Sequence, residues 1–154
     1  MQQNSIQVRP YQEGDEQAIY EIILDNDHYD QMSPERKRKY AKFHSPEKLK
    51  YFIQTEKPDI LLAIVDGEKV GTIIRLKNRF FRLHILRGYT RNGIGTLLIK
   101  RMMKQCKKDG FTSAYIKPLR ESTETMLSFM KKNKIEIEKL KSLNHGATEI
   151  YFKL

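Results

Sequence analysis

Tyr89-Thr90-Arg91-Asn92-Gly93-Ile94-Gly95-Thr96-Leu97-Leu98 is the stretch from which the rest of the chain can be read. The run Phe81 to Arg87 before it reads as a strand. Ile94 to Cys106 after it reads as a helix, with Ile94, Leu97, Leu98, Met102 and Cys106 at one-face spacing. Gly93 and Gly95, one residue apart, allow a sharp turn and a close approach of backbone to a ligand. The first N–H groups of the helix, carrying about half a positive charge, form a seat for phosphate. The stretch points to a phosphorylated ligand.

Two better-known glycine loops are excluded. A dinucleotide fingerprint needs a third small residue where Leu98 stands. A phosphate loop of the Walker type needs Lys and then Ser or Thr where Ile94 and Gly95 stand.

At 154 residues, 31% charged and 39% hydrophobic, the chain suits one soluble domain over 1–154 with a sizeable core. Its longest apolar run, Ile60 to Val65, is far short of the roughly 20 residues that span a bilayer. The N-terminus lacks the basic-then-apolar form of a signal peptide. Cys106 is the sole cysteine, which excludes an internal disulfide and suits a reducing cytoplasm. It falls on the apolar side of its helix, as a buried, inert thiol does. The net charge of +10 comes from lysines scattered between Lys37 and Lys153, a solvating surface that also suits an anionic cofactor. No aromatic-plus-basic pattern or zinc spacing supports a nucleic-acid module.

Along the chain, Ser5 to Arg9 alternates as a strand, and Asp15 stands as an N-cap before Ala18, Ile19, Ile22 and Ile23 at helical spacing. Asp25 to Asp30 reads as a polar loop. As a calcium loop it fails for want of Gly at position 30 and Glu at position 36, and no metal is expected. Ser33-Pro34-Glu35 and Ser45-Pro46-Glu47 are helix starts. Asp59 to Val65 and Lys69 to Leu76 form a hairpin about Asp66-Gly67. Lys77-Asn78-Arg79 turns into Phe80 to Leu86, the strand before the glycine loop. Asp109-Gly110 ends the following helix. Then come a strand (Thr112 to Ile116), a helix (Glu121 to Lys132) and two strands (Ile135 to Leu140, Thr148 to Leu154).

This order, with Thr90-Arg91-Asn92-Gly93-Ile94-Gly95 after the fourth strand, resembles the GNAT acetyltransferase family over essentially the whole chain. The family's loop pattern is Gln or Arg, two residues, Gly, one residue, Gly or Ala, and Thr90 departs from it. The resemblance implies an α/β (α+β) fold: a mixed, mostly antiparallel sheet of six to seven strands flanked by about four helices. It implies acetyl-CoA as co-substrate and a small-molecule or peptide amine as acceptor. Carried over, Ile85, Leu86 and Arg87 pair with the pantetheine arm. Thr90, Arg91, Asn92, Gly93, Ile94, Gly95 and Thr96 hold the pyrophosphate.

A general base is then wanted near the fourth strand, and His84 is the candidate where the family more often has a carboxylate. The two early helices cover the acceptor, with His28, Tyr29, Tyr40, His44 and Tyr51 on the substrate side. Aligned by helix spacing, Thr123, Met126 and Met130 take the places of Asn, Ala and the tyrosine that often protonates the leaving thiolate. Lys134-Ile135 replaces a usual Gly-Phe. A catalytically weak acyl-CoA-binding or regulatory protein on the same fold is the competing reading. The oligomeric state stays open, a homodimer included.

Overall fold

A computed structural model describes residues 5–154. The chain opens with β1 (Ile6–Pro10), then α1 (Glu16–Leu24), the single-turn α2 (Asp27–Asp30), α3 (Pro34–Phe43) and α4 (Pro46–Glu56). Three strands follow, β2 (Asp59–Val65), β3 (Glu68–Leu76) and β4 (Arg79–Ile85), and then α5 (Ile94–Lys108). The remainder is β5 (Ser113–Ile116), α6 (Thr123–Lys132), β6 (Ile137–Ser142) and β7 (Thr148–Lys153). The expected mixed, mostly antiparallel sheet has seven strands, in the order β1-β2-β3-β4-β5-β7-β6. Helices flank it as expected; among the described residues there are six, α2 being a single turn inside the stretch read as a polar loop.

The local starts and stops follow the expected chemistry. Ser33 and Ser45 cap α3 and α4, each accepting a backbone N–H three residues on, with Pro at the first turn. Asp66 and Gly67 both take positive φ, 51° and 79°, as a two-residue hairpin turn requires.

Asp15 behaves differently from its expected role as an N-cap. Its side chain makes no bond to the first turn of α1. It turns back to accept the Gln12 N–H at 2.8 Å, the Arg9 guanidinium at 2.8 and 3.0 Å and the Lys69 ammonium at 2.7 Å. With its side chain only 3% exposed, two cations outbid a cap. Burial raises the carboxyl's pKa, but these hydrogen bonds outweigh it and carry the group well below the usual carboxylate range. Asp15→Asn leaves Arg9 and Lys69 without their anion. It is expected to cost about 3 kcal/mol, the lower end for breaking a buried pair. In a chain of this size that is a fall of roughly 6–12 °C in Tm by calorimetry. A shift under 2 °C would show that the two cations find water instead.

The core lies on both faces of the sheet. Along β2, Leu61, Ala63 and Val65 pack under α5 with its buried Ile94, Leu98, Ile99, Met102 and Cys106. Ile60 and Leu62 pack with Ile19 and Ile23 of α1 and Leu49 of α4. A strand covered on both sides reads as a continuous apolar run, which is why Ile60 to Val65 shows no alternation.

The one parallel pairing among the described residues, β4 with β5, positions the site. It holds for only Arg79↔Tyr115 and Phe80↔Ile116. β5 stops at Ile116 while β4 runs on to Ile85, so the two strands part and leave one edge of β4 without a partner strand.

Candidate active site

Beside that parting lies a cavity of about 860 Å³. Phe81, Arg82, Leu83 and His84 supply its floor from β4, and Tyr40, Phe43 and His44 reach it from the end of α3. Tyr115 of β5, with Ser122 and Met126 at the start of α6, closes the other side.

A bulge in β4 makes this lining. Thr72 pairs with His84 and Ile74 with Phe81, so Ile73 faces two residues, Arg82 and Leu83. Phe81 and His84 are three apart and would point to opposite faces of a regular strand. The extra residue resets the alternation and brings both to the face covered by α1 and α4. Arg82 takes the strain, with φ at +52°, a left-handed conformation that a long side chain rarely adopts. Such strain persists where surroundings impose it, and it concentrates at functional sites.

His84 is half-buried and lies directly across from Thr72, whose buried hydroxyl has no hydrogen-bond partner among the described residues. Burial, and then the charge of Arg82, lower the His84 pKa to about 4. His44 is 8% exposed, packs at a tilt against the Tyr40 ring with centroids 4.4 Å apart, and leaves its Nδ1 without a partner among the described residues. Burial first, then Arg82 and His84, take its pKa to about 3. Both imidazoles are therefore neutral at pH 7.

The sign of the pH effect on stability follows. An unfolded histidine gains its proton near pH 6.5, while these two stay neutral down to about 4 and about 3. Between pH 6.5 and about 4 the unfolded chain binds more protons, so stability falls as pH falls, by up to about 1.4 kcal/mol per pH unit for each. Asp15 adds its own loss only below about pH 4, the carboxyl's unfolded pKa. Chemical denaturation at pH 7.0 and 5.0 is expected to differ by several kcal/mol. His44→Phe, which suits the same aromatic cluster, should remove about half of the difference. An unchanged difference would place its source elsewhere.

The glycine loop lies outside this cavity, beyond the far end of β4. Arg91 and Gly93 take positive φ, 68° and 77°, and Gly93 is the residue that opens α5. The first helical bond runs from Leu97 N–H to Gly93 O, 3.1 Å. The N–H groups of Ile94, Gly95 and Thr96 precede it, with no side-chain cap and no acidic residue in the first turn. Thr96 Oγ1 donates instead to Asn133 Oδ1 at 2.7 Å, and Thr90 Oγ1 to Arg87 O at 3.1 Å.

Between loop and cavity, Leu86 gives its N–H to Val70 O at 2.8 Å and Arg87 gives its own to Asp25 Oδ2 at 2.9 Å. By the alternation of an antiparallel ladder, the N–H and C=O of Ile85 then face the open edge. Of the three strand residues expected along a pantetheine arm, Ile85 is the one whose backbone is turned to the gap.

Other expectations on the site are corrected. The aspartates of Asp25 to Asp30 are not a loose polar loop: Asp25, Asp27 and Asp30 close on the Arg87 guanidinium at 2.7–3.0 Å. That clamp ties α2 to the end of β4. Met130, aligned with the family's tyrosine, is fully buried in the core, while Met126 lines the cavity. Tyr115 and Tyr40 are the tyrosines in the cavity wall. Of the substrate-side candidates, Tyr40 and His44 line it, Tyr29 backs Tyr40 at 5.7 Å, and neither His28 nor Tyr51, which is 69% exposed, takes part. Cys106 is buried, as expected of an inert thiol. No described helix is long and apolar enough to cross a membrane.

A family model described as the acetyltransferase (GNAT) domain matches residues 28–126. The chain belongs to the GNAT acetyltransferases. It is 28% identical over 107 residues to the uncharacterized N-acetyltransferase YafP of Escherichia coli K12, covering 66% of this chain and 67% of that one. Its fold matches PaiA N-acetyltransferase from Thermoplasma acidophilum, solved with coenzyme A, at a TM-score of 0.81 and 22% identity, over 97% of this chain and 99% of that one. An aminoglycoside 6'-N-acetyltransferase, also solved with coenzyme A, matches at a TM-score of 0.66 and 12% identity over 95% and 94%. This GNAT chain is thus an acyltransferase, with the mixed, mostly antiparallel sheet that the resemblance implied.

Arg82, Thr72 and Phe43 escaped the sequence reading. The signal was present for Arg82: in Phe80-Phe81-Arg82-Leu83-His84 two apolar residues stand together before alternation resumes, as a bulged strand shows.

Proposed function

We propose that this GNAT enzyme moves the acetyl group of acetyl-CoA to a primary amine by direct attack in a ternary complex, with 1–154 as one catalytic domain. The single observation that carries the reading is the shape of β4. Its unpartnered edge leads from an uncapped helix N-terminus, a seat for a diphosphate, to a cavity holding a neutral imidazole.

The N–H groups from Arg91 to Thr96 hold the pyrophosphate, with Thr90, Asn92 and Gly93 shaping the turn. Ile85 adds its backbone to the pantetheine arm as a neighbouring strand would, and Leu86 and Arg87 border it. The same open edge offers an N–H to the carbonyl oxygen as charge develops there. The amine nitrogen bonds to the thioester carbon, the carbon–sulfur bond breaks, and the amine's proton passes to His84 directly or through a water. The thiol, with a pKa near 8.5, leaves with little help, and Tyr115 or Tyr40 stands where Met130 does not.

The low basicity of His84 favours the second reading, a weak catalyst that binds acyl-CoA. Calorimetry with acetyl-CoA, followed by thiol release over a panel of amines, separates them. Micromolar binding with turnover on some amine is expected. Binding with a silent panel leaves the binder, and no binding at millimolar acetyl-CoA removes both.

A further inference from the structure

The cavity wall carries an unusual charge balance for an enzyme that accepts amines. Lys77, Arg79, Arg82 and Lys117 face it with a single carboxylate, Glu56. A polycationic acceptor needs the reverse.

Arg82 is the central member. Other arginines with buried or clamped guanidinium groups have carboxylates: Arg9 has Asp15, Arg75 has Asp59 and Asp109, and Arg87 has three aspartates. Half-buried Arg82 has no ion pair or hydrogen bond among the described residues. It rests against the rings of Phe43 and Phe81, with centroids 5.7 and 5.9 Å away, and its φ of +52° holds it over the cavity at some cost. Rings steady a guanidinium face but leave its N–H fork unsatisfied. Burial and the nearby Arg79 both disfavour its charge, and a bound anion would relieve that. Beside it His44, more than nine-tenths buried, keeps Nδ1 unpartnered. Two polar groups thus wait in one cavity that also holds His84.

We propose that Arg82 is a specificity-determining residue that takes the carboxylate of the acceptor, and that the acceptor class is therefore amino acids and kindred amino-carboxylates rather than polyamines or aminoglycosides. The planar fork of an arginine matches a carboxylate in two parallel hydrogen bonds. His84 stands on the other side of the bulge and lines the same cavity, so an amine close to the carboxylate is held beside the base. The same cation lowers the amine's own pKa, so more of it is free to attack at neutral pH.

This rests on the acetyltransferase reading above, and the test keeps the two apart. Each amino-carboxylate is compared with its decarboxylated twin: phenylalanine with phenylethylamine, lysine with cadaverine, glutamate with 4-aminobutyrate, which keeps one carboxylate. Phosphoethanolamine and ethanolamine form a further pair. Thiol release is measured beside acetyl-CoA calorimetry. The carboxylated member of the first two pairs is expected to have at least a tenfold higher kcat/KM. In Arg82→Gln its KM rises about 10- to 100-fold, and Arg82→Lys recovers part of that, while acetyl-CoA affinity stays within about twofold. Equal use of both members, preference for the decarboxylated one, or acceptance of phosphoethanolamine alone overturns the inference and leaves acetyl transfer standing. A panel silent on every carboxylated amine, in protein that binds acetyl-CoA, overturns it too. Protein that fails to bind acetyl-CoA removes the function beneath it.

Discussion

Replacing Gly93 by Glu is expected to weaken acetyl-CoA binding at least 100-fold while the protein stays folded. Two effects act together. Gly93 sits at φ +77°, where a side chain is strained whatever space surrounds it. An added Cβ meets nothing within 4 Å, so the cost is conformational and local, about 1 kcal/mol. The second effect is larger. A glutamate at the residue that opens α5 sets a carboxylate beside the free N–H groups of Ile94, Gly95 and Thr96, where a diphosphate would sit. It is held there as an anion is held at any helix N-terminus, which offsets part of the strain and keeps the fold. A bound diphosphate must expel it or meet its charge.

Gly93→Ala carries the strain without the anion and should lose less than tenfold. Gly95 supplies the control. It already has helical φ, and a Cβ there meets only the Phe129 ring at 3.5 Å, an ordinary contact. Gly95→Ala should fold normally and bind within a few-fold. Calorimetry on the three variants, with circular dichroism for the fold, decides it. Unchanged affinity in Gly93→Glu would move the phosphate seat away from this loop.

How much of this is legible in the sequence depends on whether the signal is local. Helix starts at Ser33 and Ser45 need only a hydroxyl, a proline and three residues of spacing, and they were legible. So was the turn at Asp66-Gly67, and so was the element order that gives the sheet. Asp15 was legible as a helix start but not as the anion for Lys69, because that partner lies 54 residues away in the chain and only the sheet brings it near. The clamp of Asp25, Asp27 and Asp30 on Arg87 failed for the same reason. His84 was singled out because imidazoles are few. Arg82 was passed over because the break in alternation marks a bulge but not the missing carboxylate, which only the fold reveals. Met130 was placed by counting along a helix, and counting cannot tell which face the sheet will bury.

His84→Gln is expected to lower kcat about 100-fold with acetyl-CoA affinity unchanged, the low end for loss of a general base. The reason it does not cost more lies in the pKa. A base near pKa 4 cannot strip an ammonium of pKa about 10.4, since that transfer is uphill by about 9 kcal/mol. The amine must enter the reaction neutral. His84 is suited to a later moment, when the nitrogen has begun to bond to carbon and its proton has become acidic.

This dictates the pH profile. His84 is already unprotonated throughout the range above about pH 5, so no inflection near 6.5 arises from it. The rate is expected to rise with pH through the pKa of the bound amine and then level. That pKa is itself lowered by the causes that act on His84, burial first and the charge of Arg82 second. In Arg82→Gln the rising limb should therefore move to higher pH, a change that loss of acceptor binding alone does not produce. A wild-type profile with an acidic limb at pH 6–7 would mean that His84 titrates like a solvated imidazole. A loss under threefold in His84→Gln would leave the imidazole as packing and pass the proton to water alone.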